Sequence, residues 1–127
     1  MAPGYPKLKP DVKTTWLAKL RSGEYKQTTG GLQVLIKGES QFCCLGVLCD
    51  ITDKSKWLIQ DREKHVGTVI YKSGDYDRTG YVPDEVLAAA FDTNDRDWAS
   101  AAQRYLARLN DEGKTFAQIA DWIEANL

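Results

Sequence analysis

A chain of 127 residues, 43% apolar and 28% charged, has the length of one domain and enough apolar mass for a packed core without staples. Its lysines and arginines number 17 against 18 aspartates and glutamates, a net charge of −1, which argues against the strong positive field that non-specific DNA binding needs. No run approaches the roughly 18 apolar residues of a membrane span, and the Pro-rich start MAPGYPKLKP lacks the apolar centre of a signal peptide.

Residues 1–9 read as an extended arm, because Pro3, Pro6 and Pro10 block regular structure. Residues 10–127 then read as a single globular domain. Val12, Trp16, Leu17 and Leu20 recur at helical spacing, so an amphipathic helix is expected over Asp11 to Arg21, closed by Ser22-Gly23. Glu24 to Gly31 is a polar loop. Leu32, Val34 and Ile36 alternate with Gln33, Leu35 and Lys37 as a strand. Gly38-Glu39-Ser40 is the expected turn, and Gln41 to Cys43 begins the return strand.

The densest apolar run follows, QFCCLGVLCDIT over Gln41 to Thr52. An element apolar all round must be buried all round, so a central helix is expected here. Gly46 weakens such a helix by about 1 kcal/mol against alanine, which points to a close backbone approach. Asp50, the one charge in the run, is expected where this helix reaches the surface.

Trp57 to Ile59 and Val66 to Tyr71 read as strands, and Gly74 to Gly80 as a turn-rich loop. Pro83 suits the first position of a helix over Asp84 to Phe91. Thr93 or Asn94 is expected to cap the next helix, which carries Trp98, Ala102, Tyr105, Leu106 and Leu109 on its buried side to about Asn110. Thr115 and Gln118 form a capping box for the last helix. The fold class is α+β, with four to five helices around a small antiparallel sheet and a central buried helix after a hairpin.

The residues that could carry chemistry are few. Cys43, Cys44 and Cys49 lack the fourth ligand and the spacer of a zinc site, and their apolar neighbours make them core thiols in a reducing compartment. His65, the one histidine, could pair formally with a cysteine nucleophile, but those thiols lack an electropositive, exposed setting. No metal and no cofactor motif is expected. Arg21, Tyr25, Lys26, Gln27, Thr28 and Thr29 form a basic and aromatic loop, followed by Gly30-Gly31. Tyr71, Tyr76, Arg78 and Tyr81 form a second cluster. Such residues stack on bases and hold phosphates, and they serve equally as ordinary surface loops. The charge is also split, with +5 over the first 72 residues and −6 over the rest. That split reads either as two faces neutralised on folding or as a pocket for an anion.

Four stretches carry a resemblance: WLAKLRSGEYKQ (Trp16 to Gln27), FCCLGVLCD (Phe42 to Asp50), VPDEV (Val82 to Val86) and LNDEGKTFAQIADWIE (Leu109 to Glu124). Together they resemble a widespread family of small phage-encoded proteins, and through it the viral sponge proteins that sequester nucleotide immune signals of anti-phage systems such as CBASS and Thoeris. The resemblance implies tight binding without turnover, and hence no enzyme. It also implies a homo-oligomer in the cytoplasm of an infected bacterium. Its partner would be a cyclic dinucleotide or a cyclic ADP-ribose type messenger, with no DNA and no membrane. The expected ligand-binding residues, by their chemistry, are Arg21, Tyr25, Lys26, Gln27, Thr28, Tyr71 and Tyr81. Alternatives are a small phage protein that inhibits a host protein by direct binding, and a nucleotide-cleaving enzyme.

Overall fold

A computed structural model describes residues 4–58, 66–73, 76–78 and 80–127, without the side chains of 66, 68, 73 and 76–78. Ile59 of the expected third strand, His65, and residues 74, 75 and 79 of the expected loop lie outside the described residues. Among the described residues five α-helices, α1 (Pro10–Arg21), α2 (Cys44–Thr52), α3 (Asp84–Ala90), α4 (Arg96–Asp111) and α5 (Phe116–Asn126), accompany five strands. The strands are β1 (Gln33–Ile36), β2 (Glu39–Phe42), β3 (Trp57–Leu58), β4 (Val66–Ser73) and β5 (Tyr76–Arg78). The fold is α+β. The pairings among the described strands are antiparallel, along the path β2-β1-β4-β3, with β5 on β4. No described helix is long and apolar enough to cross a membrane.

The hairpin and central helix follow from local chemistry. β1 and β2 pair Ile36 with Glu39, so the turn is Lys37-Gly38, one residue earlier than expected. Both residues have positive φ, 51° and 80°, the geometry that lets a two-residue turn match strand twist. In α2 every residue from Cys44 to Asp50 is buried, as an all-apolar element requires. Trp16 of α1 is fully buried and donates its indole N–H to the Cys44 carbonyl at 3.0 Å, which fixes α1 against the start of α2. Val47 and Leu48 of α2, Leu106 of α4 and Ile119 and Ile123 of α5 close the core around it.

Several details correct the sequence reading. Asp50 is buried, not at the surface; two aromatic donors described below satisfy it. Asp95, not Thr93 or Asn94, caps α4, accepting from the Trp98 amide at 3.0 Å. Trp98 is 38% exposed rather than part of the buried face of α4, and its indole N–H donates to the Gly4 carbonyl at 2.8 Å. Pro83 precedes the first turn of α3 as its N-cap. Residues 76–78, expected in a loop, form β5. The capping box is present, with Thr115 and Gln118 bonded reciprocally.

Residues 4–9 lie docked along the helices. Tyr5 stacks on Tyr105 and meets Trp122 edge-on, at ring centroid distances of 5.9 and 5.2 Å. Leu8 is buried and bonds through its amide to the Leu127 carbonyl at 3.0 Å. The two oppositely charged parts of the chain meet across α1 and α5, where Arg21 bridges Asp121 and Glu124. That arrangement matches mutual neutralisation on folding.

Candidate functional site

The loop from Ser22 to Leu32 has little apolar content of its own, so polar bonds must hold it in place. The Lys26 carbonyl accepts from the Phe42 amide at 2.8 Å, and the Thr28 amide donates to the Phe42 carbonyl at 2.9 Å. Gln27 then reaches the turn between α4 and α5. Its amide nitrogen donates to Asn110 Oδ1 at 2.9 Å and to the Lys114 carbonyl at 2.7 Å, and its oxygen accepts from the Phe116 amide at 3.1 Å. Asn110, 1% exposed, completes the clasp. Its nitrogen donates to the Thr28 carbonyl at 2.8 Å, and its oxygen also accepts from the Cys44 amide at 3.3 Å. A buried amide with every polar atom paired is rigid and specific.

This clasp leaves a small cleft of about 170 Å³ between the Gly30-Gly31 turn and the C-terminal end of α4. Cys43, Leu45 and Ala107 contribute apolar lining, Asn110 and Asp111 contribute polar lining, and Gly80-Tyr81 forms another side. Tyr81 is 53% exposed. Asp111 is exposed and is the one charged lining residue among those described. The Cys43 sulfur caps α2, accepting from the Gly46 amide at 3.4 Å. Burial pushes the Cys43 thiol up from its ordinary range, and the nearby Asp111 charge adds to that. Desolvation raises Cys44 and Cys49 as well. Neutral, buried thiols are poor nucleophiles and poor metal ligands. Among the described residues no group of three or more histidine, cysteine or acidic side chains is placed to hold a metal ion.

The sequence-predicted residues separate into three groups. Gln27 and Thr28 form the wall of the clasp, and Tyr81 stands on the cleft. Tyr25 and Tyr71, far apart in sequence, are brought into one row of rings through Phe42 and Trp57. Successive centroids lie 5.0, 6.1 and 4.9 Å apart, all edge-to-face. Tyr25 donates its hydroxyl to Asp50 Oδ2 at 2.5 Å, Trp57 donates its indole N–H to Oδ1 at 3.0 Å, and Lys54 approaches at 3.6 Å. Burial and the bond to Asp50 raise the Tyr25 pKa. Tyr71 is fully enclosed, so neither of its faces is open for a base to stack on, contrary to the expected role. Its hydroxyl has no hydrogen-bond partner among the described residues, and desolvation raises its pKa too.

Arg21 and Lys26 form the third group. Arg21 donates to Asp121 at 2.9 Å and Glu124 at 2.8 Å, and Lys26 to Glu39 at 3.1 Å. Both expected phosphate donors are thus paired to carboxylates of their own chain and lie away from the cleft lining. Sequence reasoning did not mark Asn110 or Asp111 as site residues, and it missed Asp50 as an acceptor for two aromatic rings.

Residues 8–127 match the family described as a domain of unknown function, DUF8296. The chain belongs to that family. No curated protein and no solved structure matches it. The match spans the arm's last two residues, the clasp and all five described helices, so the cleft lies wholly within the matched residues.

Proposed function

We propose that this chain acts by binding, and that it sequesters a cyclic nucleotide signal of bacterial anti-phage defence without consuming it. The observation that carries the reading is the cleft that joins the Gly30-Gly31 backbone to the exposed Tyr81 ring. A glycine turn lets a ligand approach the main chain closely, and an open tyrosine face accepts a base by stacking. The four stretches that resemble phage sponge proteins support it, and three of them contribute cleft or clasp residues: Gln27, Cys43 with Leu45, and Asn110 with Asp111. The working compartment in this reading is the cytoplasm of the infected cell.

A volume of about 170 Å³ is below the roughly 300–1,000 Å³ of sites that enclose a drug-sized ligand. A cyclic dinucleotide therefore reaches beyond one cleft, and a second copy of the chain completes its enclosure in this proposal. The test is to incubate the protein with cyclic dinucleotides and cyclic ADP-ribose isomers, remove free ligand, denature by heat, and identify what is released. Intact ligand supports sequestration. An altered ligand indicates an enzyme, and no retained ligand favours inhibition of a host protein.

A further inference from the structure

We infer that the cleft takes the nucleoside end of its ligand, base and ribose, and leaves the phosphates outside; this rests on the nucleotide-binding reading above. Electrostatics gives the first reason. The one charged lining residue among those described is Asp111, and a carboxylate repels phosphate while accepting hydrogen bonds from ribose hydroxyls or base N–H groups. The Asp111 side chain makes no hydrogen bond or ion pair to another described residue, so its acceptor sites are open. The cations of the adjoining loop cannot compensate, because Arg21 and Lys26 are held by Asp121, Glu124 and Glu39.

Shape gives the second reason. The apolar lining from Leu45 and Ala107 suits the face of a ring rather than a solvated anion. Tyr81 presents an aromatic face that is half open to solvent beside it, the arrangement in which a base gains by stacking. The small volume fits part of a nucleotide, so the ligand enters by one end.

The experiment is an NMR titration of the full chain with adenosine, with guanosine and with inorganic phosphate. A nucleoside should shift the amide signals of Gly30, Gly31 and Tyr81 saturably, and phosphate should leave them unmoved. Tyr81→Ala and Asp111→Asn should each weaken nucleoside binding about tenfold, in line with the loss of one stacked ring or one charged hydrogen bond. Both positions are exposed, and unchanged signals from α2 would verify that each variant folds. Phosphate shifting these amides, or neither nucleoside doing so at millimolar concentration, overturns the inference. If intact cyclic nucleotide is retained while nucleosides leave the cleft signals unmoved, sequestration stands and this assignment falls. If nucleosides bind there while no cyclic nucleotide is retained, the assignment stands and sequestration falls.

Discussion

Gly46 of α2 lies directly against the backbone of Leu32. A β-carbon at Gly46 would overlap the Leu32 carbonyl oxygen and come within 2.6 Å of its carbonyl carbon. That carbonyl is not free to swing away, because it accepts from the Cys43 amide at 3.1 Å. The contact is where the loop bearing the cleft is pressed onto the central helix. Gly46→Ala gains about 1 kcal/mol of helix propensity but forces backbone apart in a packed core. We expect a net loss of roughly 3 kcal/mol, read as a lower denaturant midpoint. A variant as stable as the parent would show that the approach is not tight.

The side chains that fill α2 should be equally sensitive. Leu45 and Leu48 are 1% and 0% exposed, so Leu45→Ala and Leu48→Ala should each cost about 2–5 kcal/mol. Unchanged melting temperatures for both would contradict the central place of α2.

The clasp makes a sharper prediction. Asn110→Ala strands the Thr28 carbonyl and removes acceptors from Gln27 and Cys44, three bonds in a buried site. A loss of about 3 kcal/mol or more is expected, from the 1–3 kcal/mol of each unsatisfied group. Combining Asn110→Ala with Gln27→Ala should cost clearly less than the two separately, since they share one network. Strict additivity in a double-mutant cycle would show that the two side chains act independently.

Alkaline titration tests the buried acids. The folded chain raises Cys43, Cys44 and Cys49 above an ordinary 9.0, and Tyr25 and Tyr71 above 10.0. The unfolded chain therefore releases these protons at lower pH than the folded one. Their contribution to stability is whole below pH 9.0 and is lost as pH rises from there toward the higher folded values. Stability from denaturant melts should be flat near neutrality and fall above about pH 9. Tyr25→Phe should soften that fall and cost about 1 kcal/mol at neutral pH through the lost bond to Asp50. Thiol reagents should label the three cysteines slowly in the native state and rapidly in denaturant, and fast native labelling of Cys44 would contradict its burial.

Local patterns carried much of the fold. The all-apolar run over α2 required burial on every side, and Thr115 with Gln118 announced the start of α5. What stayed hidden depended on partners distant in sequence. Asp50 looked like a surface charge because its donors, Tyr25 and Trp57, lie 25 and 7 residues away. Arg21 looked like a phosphate donor because its carboxylates sit about a hundred positions on, in α5. Tyr71 was recognisable as an aromatic in a strand, but strand patterning alone cannot tell a ring at the rim from one sealed between Trp57 and α2. For the cleft, Tyr81 and the Gly30-Gly31 pair were visible as chemistry, whereas nothing in the local pattern set Asp111 apart from an ordinary polar residue of the turn between two helices.

Calorimetry of the full chain against a panel of cyclic dinucleotides and cyclic ADP-ribose isomers tests the proposed function most directly. The account predicts that at least one of them binds with a submicromolar Kd, and that Tyr81→Ala weakens it about tenfold while the melting temperature stays unchanged. Absence of any binding below micromolar concentration across the panel would contradict it, and inhibition of a host protein would then be the better reading.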